Sequence, residues 1–411
     1  MRPITAVLVG AGNRGTHAYG DYALLKPESL RIVAVADPDG TRRKRFQQDH
    51  QLPDKDCFSD WKPILNEKRA DLAIIATMDR LHVEPALLAM EKGYDIILEK
   101  PMATTLEGCR QIVDAAKETG RMVSVAHVLR YTTFFSKIRG LLDGGRIGRL
   151  LQINLTERIG YYHMAHSYVR GNWANSQTTA PIILTKSSHD LDILYWLIGE
   201  PCRSVYSEGG LVYFRKQNHP KGAGERCLSC GIERDCPYSA KKIYLELVED
   251  WPIARNILPG ASYEEKARYL ETGPYGRCVF LCDNDVADRQ TVLLDFGETL
   301  AVFNLTAFSA EKTREIDILG ADGDIKGNFE RGWIEIRRYG GTTERITIPQ
   351  EKGHHAGGDY RLLDDVIKRL RNADKDSLSS PEESLHSHEI AFACEASRRE
   401  KRPVTLRNGY P

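Results

Sequence analysis

The 411-residue chain lacks any long apolar run, and its opposite charges cancel. No stretch approaches the roughly 20 apolar residues that a membrane-spanning helix needs, so we expect no membrane span. The 57 Lys and Arg residues equal the 57 Asp and Glu residues in number. Because nonspecific nucleic-acid binding needs a concentrated positive field, this balance argues against a nucleic-acid partner. The 34 glycines and 18 prolines are an ordinary share, which excludes collagen-like and low-complexity classes.

The N-terminus also lacks the features of a secretory signal peptide. Its one apolar run, Ala6–Val9, is short and ends in glycines, with no small-residue cleavage site. We therefore expect a cytoplasmic protein whose nine cysteines are thiols or metal ligands rather than disulfides. Five of the nine lie between Cys227 and Cys282, and this clustering is the one unusual feature of the composition.

The first 127 residues alternate short runs rich in Val, Ile and Ala with amphipathic stretches. Apolar strands that alternate with helices indicate a parallel sheet covered by helices on both faces. We therefore predict an α/β class, with a doubly wound domain over residues 1–127. Its predicted strands are Ile4–Val9, Ile32–Ala36, Leu72–Ala76, Ile96–Leu98 and Met122–Ala126.

Residues 128–411 contain longer strands of alternating polarity with a few helices between them. This pattern predicts an α+β domain built on a large open, mostly antiparallel sheet. Residues 215–285 interrupt the pattern with a charged helix and the cysteine cluster, and we interpret them as an insertion. The predicted strands are Leu150–Arg158, Ser204–Phe214, Gln290–Asp295, Leu300–Ala307, Glu315–Leu319, Trp333–Tyr339 and Glu344–Ile348.

The first predicted strand runs directly into G-x-G-x-x-G and a helix, the pattern of a dinucleotide-binding loop. In this pattern Gly10 permits the tight turn, Gly12 lets a pyrophosphate approach the backbone, and Gly15 permits close helix packing. The helix N-terminus then offers N–H groups and a positive dipole end to the phosphates. Asn13 and Arg14 occupy the positions between the last two glycines and are further candidate cofactor contacts.

Asp37 ends the second predicted strand, 22 residues after Gly15. A carboxylate at this position accepts hydrogen bonds from the adenosine ribose and favours NAD over NADP. Arg42 and Arg43 follow on the next helix, within reach of a 2′-phosphate, so NADP is disfavoured but not excluded. The alternative interpretation is a generic glycine turn with a surface aspartate.

Glu99, Lys100 and Pro101 stand at the end of the buried strand Ile96–Leu98. Ligands of open α/β sheets bind at this edge, and the proline fixes the turn. A lysine beside a nicotinamide is able to exchange a proton with a substrate hydroxyl. Without further context, a solvated surface lysine is the plainer interpretation.

The glycine loop, Asp37, Ala76-Thr77 with His82, and Glu99-Lys100-Pro101 together resemble the Gfo/Idh/MocA family of nicotinamide-dependent oxidoreductases. The resemblance implies an N-terminal Rossmann domain and a C-terminal sheet that usually makes oligomer contacts, hence a homodimer or homotetramer. It implies hydride exchange between NAD(P) and a sugar, inositol or related polyol. It further implies that Lys100 is the catalytic lysine, that Glu99, Thr77 and His82 contact the cofactor, and that Arg130 and Tyr131 pass under the active site.

One segment departs from the family pattern, in which an aspartate precedes a histidine by four positions. Here Thr185 stands where that aspartate is usual, while His189 and Asp192 fit the pattern. The resemblance makes Thr185 and Asp192, like Arg130 and Tyr131, candidate substrate contacts. Either His189 and Lys100 carry the acid–base role, or Lys186 shares it. Lys100 with Lys186 would also suit an acidic sugar, unless Lys186 faces solvent.

Further histidines are candidates for the substrate pocket. His163 lies in an aromatic stretch with Tyr161, Tyr162 and His166, where rings suit a sugar pocket. His355 precedes a late helix and either reaches the pocket or lies at the surface beside a cap formed by Asp359.

The cysteine cluster contains a C-x2-C pair, Cys227 and Cys230, followed by Cys236. With Cys282 these residues are the preferred four ligands for a structural zinc ion or an iron–sulfur cluster. The alternative is a set of reduced, buried thiols.

The sequence leads to three functional hypotheses. The first is an NAD-dependent oxidoreductase acting on a sugar, polyol or sugar acid. The second is a glycoside-cleaving enzyme that uses NAD for transient oxidation and elimination, because glycosidases with similar Gly-Asn-Arg-Gly loops exist. The third is a nonenzymatic sensor, which the retained Lys100 and His189 argue against.

Overall fold

The computed structural model describes residues 2–246, 257–258, 261–349, 351 and 354–406. Within these residues the first sheet has six parallel strands in the order β3-β2-β1-β4-β5-β6. This order reverses between β1 and β4, which creates the crevice where Rossmann folds bind dinucleotides. The strands are β1 (Ile4–Val9), β2 (Leu30–Ala36), β3 (Cys57–Phe58), β4 (Leu72–Ile75), β5 (Asp95–Leu98) and β6 (Val123–Val125).

Helices flank this sheet, and the central strands β1, β4 and β5 are almost wholly buried apolar residues. Such continuous apolar strands are expected where both faces of a sheet are covered. A π-helical turn, Gly15–Gly20, leads into the first α-helix. The helices are α1 (Asp21–Leu25), α2 (Gly40–His50), α3 (Trp61–Leu65), α4 (Val83–Glu91) and α5 (Leu106–Thr119).

The second sheet has nine strands within the described residues, in the order β14-β13-β12-β11-β7-β10-β9-β8-β15. All neighbours are antiparallel except β7 and β10, which run parallel at the centre. The strands are β7 (Leu150–Arg158), β8 (Ser204–Gly210), β9 (Arg289–Asp295), β10 (Leu300–Thr306), β11 (Thr313–Gly320), β12 (Gly323–Asn328), β13 (Trp333–Arg338), β14 (Thr343–Thr347) and β15 (Val404–Thr405).

Helices cover one face of this sheet, and its largest core cluster lies between the two layers. The helices of this part of the chain are α6 (Thr133–Asp143), α7 (Tyr161–His163), α8 (Ile182–Thr185), α9 (Ser188–Ile198), α10 (Tyr263–Thr272), α11 (Gly358–Asn372) and α12 (Pro381–Glu400). The predicted fold class is confirmed: a Rossmann domain is joined to an α+β domain with a large, mostly antiparallel sheet.

The last two helices also complete the core of the first sheet. Leu362, Leu363, Val366 and Ile367 of α11 belong to the buried cluster that contains Leu8 and Ile74. Leu385 of α12 belongs to the cluster on the opposite face of the same sheet. Our division at residue 127 therefore omits apolar surface that the C-terminal helices contribute to the first domain.

The segment we interpret as an insertion connects the neighbouring antiparallel strands β8 and β9. Its described part contains short turns and α10, and its buried side chains, among them Tyr238 and Phe280, join the core of the second domain. Residues 247–256, 259 and 260 of this segment lie outside the described residues. In the part of the chain that the structure describes, no helix has both the length and the apolar character needed to cross a bilayer.

Candidate active site

The glycine loop follows β1 and leaves an open approach to its backbone. Gly10 has a φ of +100°, and a Cβ there would lie 2.5 Å from the Ala76 carbonyl oxygen. A Cβ on Gly15 would lie 1.9 Å from the Gly10 oxygen. At Gly12, by contrast, a Cβ would meet only the Arg42 guanidinium, 3.9 Å away. The loop thus needs glycine for its own packing at two positions and keeps room for a pyrophosphate at the third.

Asp37 fixes the loop from the end of β2. Its two carboxylate oxygens accept hydrogen bonds from the backbone N–H groups of Ala11 and Asp39, each at 2.8 Å. Arg42 Nε lies 3.5 Å from the same carboxylate. Because a carboxylate has about four acceptor sites, Asp37 retains capacity for ribose hydroxyls. The chemistry of this loop and carboxylate fits NAD, with Asn13 exposed at the tip of the loop.

Arg14 forms ion pairs with two buried carboxylates. Its Nε lies 2.7 Å from Glu99 Oε1, and its Nη2 pairs with Asp359. Tyr19 also donates to Glu99 Oε1, at 2.7 Å. Although burial opposes it, Arg14 and His355 hold the pKa of Asp359 well below its usual range. These contacts join the glycine loop, the end of β5 and the start of α11.

Lys100 lies at the centre of the site. Its Nζ donates to the backbone oxygen of Thr185 at 2.6 Å. Burial lowers the pKa of Lys100 to about 8, opposed by Asp79 and reinforced by Lys186. A lysine with a pKa near neutrality can both accept and return a proton under physiological conditions.

His82 braces the turn that carries Lys100. Its two ring nitrogens lie 2.8 Å from the Pro101 oxygen and 3.1 Å from the Thr77 oxygen. The His82 side chain is completely buried, whereas Thr77 is half-buried. We predicted both residues to line the nicotinamide half; the structure places His82 beneath that surface, as a link between the loops after β4 and β5.

His189 and His355 face each other from α9 and the turn before α11. Their ring centroids are 5.5 Å apart. Burial lowers the pKa of His189 well below its usual range, and the nearby Lys100 lowers it further. Burial also lowers the pKa of His355 to about 4, against the opposing effect of Asp359, whose Oδ2 lies 3.0 Å from the ring. Both imidazoles are therefore neutral at pH 7 and able to donate or accept hydrogen bonds.

Lys186 does not face solvent. Its side chain is 8% exposed, and its Nζ pairs with Glu157 on β7. Arg314 on β11 completes the cluster, with its Nε 2.9 Å from Glu157 and 2.7 Å from Asp190. Since Glu157 compensates its charge, Lys186 is a weaker attractor for an acidic substrate than the sequence suggested. Lys312 and His163 lie in the same charged neighbourhood, and burial lowers the pKa of each.

Three residues that we predicted to contact the substrate instead contact other groups of the protein. Arg130 and Asp192 form a buried pair with two contacts of 2.8 Å. Arg130 also donates to the Leu378 oxygen at 2.9 Å, and Tyr131 lies 3.3 Å from Ser379 Oγ. These contacts hold α9 against the segment before α12. The structure gives all three a bracing position rather than a surface in the pocket.

Two contributors to the site went unrecognised in the sequence. Asp79, after β4, is 5% exposed, and its Oδ2 accepts a hydrogen bond of 3.0 Å from Trp173 Nε1. Asp79 stands between Thr77 and His82 in the sequence. Because both of those residues were predicted to lie near the cofactor and Lys100, the position of Asp79 could have been inferred from them. The sequence did not indicate that Trp173 contacts Asp79, because the two residues lie 94 positions apart.

Most cysteines of the segment 215–285 lie around a single cavity. Cys227, Cys230, Cys236 and Cys278 line one cavity, whereas Cys282 Sγ lies 3.3 Å from the Cys278 oxygen. Among the described residues, no three His, Cys, Asp or Glu side chains are arranged to hold a metal ion. The predicted zinc or iron–sulfur site therefore finds no ligand set here. Instead the buried Arg170 donates to Cys227 Sγ at 3.4 Å.

Comparison with known proteins agrees with the two-sheet architecture. A family model described as an oxidoreductase family with an NAD-binding Rossmann fold matches residues 4–127. A second model, the C-terminal alpha/beta domain of that oxidoreductase family, matches residues 139–406. The chain belongs to the Gfo/Idh/MocA oxidoreductase family. The resemblance found in the sequence is thereby confirmed, as is the NAD-binding character of the first domain.

Individual relatives of this Gfo/Idh/MocA protein are distant. YteT of Bacillus subtilis, whose name carries a provisional oxidoreductase assignment, is 24% identical over 92% of this chain and 91% of that protein. Inositol 2-dehydrogenase of Klebsiella pneumoniae is 31% identical over 43% of this chain and 50% of that protein. The WlbA dehydrogenase of Chromobacterium violaceum, solved with NADH and UDP-GlcNAcA, has a TM-score of 0.66 at 19% identity, covering 100% of this chain and 98% of that one. This last similarity shows the fold.

Proposed function

We propose that this protein is an NAD-dependent oxidoreductase that interconverts a hydroxyl and a carbonyl group on a sugar, polyol or sugar acid. The observation that carries the proposal is the position of Lys100 at the carboxyl edge of the Rossmann sheet, hydrogen-bonded to Thr185 and facing His189. The inositol dehydrogenase relatives and the sugar-acid nucleotide bound by the WlbA structure support the substrate class.

The residues of the first domain account for cofactor binding. We propose that Gly10, Gly12 and Gly15 hold the pyrophosphate at the helix N-terminus and that Asp37 accepts from the adenosine ribose. Asn13, Arg14, Thr77 and Glu99 border the same crevice, and Arg14 fixes Glu99 there. NAD, when bound, supplies the site that accepts or gives the hydride.

Lys100 and His189 account for the proton. In oxidation, the neutral amine of Lys100 accepts the proton of the substrate hydroxyl; in reduction, its ammonium returns one. His189, neutral at pH 7, is placed to hydrogen-bond the same oxygen from the opposite domain. His355 and His163 remain proposed substrate contacts, and Lys186 fixes the segment through Glu157 rather than sharing the proton.

A panel of neutral and acidic sugars and polyols, assayed with NAD and NADP by NADH absorbance, tests this function. We expect turnover with NAD on at least one member of the panel. The glycoside-cleaving alternative predicts sugar release without net NADH, so a glycoside assayed for both signals separates the two. Cleavage without NADH formation, and no oxidation of any panel member, would replace our proposal with the alternative.

We also propose a homodimer or homotetramer in a cytoplasmic setting. Support for assembly comes from the open face of the second sheet, where Tyr206 pairs in register with Leu293, and Leu293 with Val302. Tyr206 and Leu293 are exposed, as is Leu300. Light scattering of the purified protein measures the oligomeric state directly, and a monomer at micromolar concentration would contradict this part of the proposal.

A further inference from the structure

The sequence does not show which carboxylate provides a negative charge near Lys100. Position 185, where an aspartate is usual in the family, carries a threonine whose backbone oxygen, not its side chain, meets Lys100. The Thr185 hydroxyl is buried and has no hydrogen-bond partner among the described residues. A lysine buried among cations needs a nearby anion to remain available as an ammonium.

Asp79 lies on the loop next to Lys100. The loop follows β4, and Lys100 follows the adjacent parallel strand β5, with Ile75 opposite Leu98 in register. His82 fastens the two loops together through the Thr77 and Pro101 carbonyls. Asp79 therefore occupies a buried position on the loop that His82 ties to the turn carrying Lys100.

Trp173 holds the Asp79 carboxylate from the second domain. The indole N–H donates to Oδ2 at 3.0 Å, and Arg80 Nε lies 3.4 Å from the Thr179 oxygen. Ser176 in turn bonds Asp285 through its N–H and hydroxyl, at 2.6 and 2.8 Å. The loop that carries Trp173 is thus anchored on both sides. The other carboxylate oxygen of Asp79, Oδ1, takes no part in the hydrogen bond to Trp173.

The other charges around Lys100 do not replace Asp79. Glu99 is already paired with Arg14 and bonded by Tyr19. Asp79 makes no salt bridge with a described residue, and its charge opposes the burial that lowers the pKa of Lys100. Burial raises the pKa of Asp79, and the nearby His82 and Lys100 oppose that rise. Other groups that act on Lys100 or are affected by its charge include Lys186, Arg14, His127, His189 and His388, none of which is an anion.

We propose that Asp79, held by Trp173, is the positioning residue that supplies the negative charge for Lys100, in place of the carboxylate absent at position 185. This assignment rests on the proposed acid–base role of Lys100. Asp79 touches neither cofactor nor substrate in this assignment; it acts through Lys100.

The test is the titration of Lys100 itself. Acetylation of its amine by acetic anhydride, followed by mass spectrometry across pH, reports its pKa without any substrate. In Asp79→Asn the amide oxygen still accepts from Trp173, so the fold is retained while the charge is lost. We expect the midpoint to fall by about one pH unit, as is usual for loss of a close opposite charge. The pH profile of turnover should move in the same direction.

Three comparison variants make the result decisive. Asp143→Asn removes an exposed carboxylate that pairs within α6, and should leave the midpoint unchanged. Trp173→Phe keeps the charge but removes its donor, so it should shift the midpoint less than Asp79→Asn. Asp79→Asn combined with Thr185→Asp returns a carboxylate to the site and should restore the midpoint.

An unchanged Lys100 midpoint in folded Asp79→Asn would overturn the inference, as would equal shifts in Asp79→Asn and Asp143→Asn. Because the labelling needs no substrate, failure to find an oxidisable sugar would count against the proposed function and not against Asp79. Conversely, an active enzyme whose Lys100 ignores Asp79 would retain the function and reject the positioning role.

Discussion

Lys100 Nζ lies 2.6 Å from the backbone oxygen of Thr185, so a residue of the Rossmann domain is hydrogen-bonded directly to the second domain. Thr185 ends α8, three residues before α9 carries His189 into the same pocket. This hydrogen bond therefore links Lys100 to the segment that leads into His189, the other group proposed to handle the proton.

The first prediction concerns Lys100 itself. Lys100→Met keeps an unbranched side chain but has no proton to exchange, so turnover should fall at least 100-fold, the usual range for a lost acid–base group. Binding of NADH, followed by its fluorescence, should change less than about threefold. Full turnover in this variant would remove Lys100 from the mechanism.

A second prediction follows from the lowered pKa of Lys100. Oxidation needs the neutral amine, so its rate should rise with pH through a midpoint near 8. Reduction needs the ammonium, so its rate should fall through the same midpoint. Initial rates measured from pH 6 to 10 in both directions check the sign, and parallel profiles for the two directions would contradict it.

A third prediction concerns Asp37. Asp37→Ala removes the proposed ribose acceptor and the bond to Ala11 N–H, so the KM for NAD should rise at least tenfold. The loss of negative charge beside Arg42 should narrow the preference for NAD over NADP. Steady-state kinetics with both cofactors measure this. Asp49→Asn, which removes an exposed carboxylate paired with Arg45 on α2, is the matched control and should leave the preference unchanged.

A fourth prediction compares how much a buried and an exposed ion pair, on neighbouring strands, contribute to the free energy of unfolding. Glu157→Gln leaves Lys186 and Arg314 short of a buried partner, and should lower the free energy of unfolding by about 3–5 kcal/mol. Glu315→Gln breaks a pair with Arg158 in which both side chains are exposed, and should cost less than about 1 kcal/mol. Urea unfolding of both variants gives the comparison; equal losses would show that Glu157 is not integral to the cluster.

Much of the architecture was predictable, because its signals are local. The strand Leu150–Arg158 was predicted with the bounds it has, and the predicted strands Leu300–Ala307 and Trp333–Tyr339 each extend one residue too far. β12 was missed because Gly323 and Gly327 weaken the apolar alternation of a short strand. The parallel pairing of β7 with β10 was not predictable, since it joins residues about 150 apart.

The site was predictable where one motif carried it and not where distant residues complete it. Lys100 and Glu99 were located by a contiguous triplet, and Asp37 by its spacing from the glycines. Arg130 and Asp192 were assigned to substrate because sequence does not reveal that two predicted polar residues satisfy each other. Cys282 was preferred over Cys278 because spacing alone does not show which thiols face one cavity.

The packing of α11 and α12 onto the first sheet has a consequence for how the protein is made. Residues 1–127 leave the ribosome before α11 and α12 do, so the apolar faces that receive Leu362, Leu363 and Leu385 stay uncovered until those two helices have been synthesised. The nucleotide-binding domain therefore reaches its final core only after α12 has been made. A nascent chain arrested before α11 would carry an incomplete cofactor domain with exposed apolar surface, a form prone to aggregate.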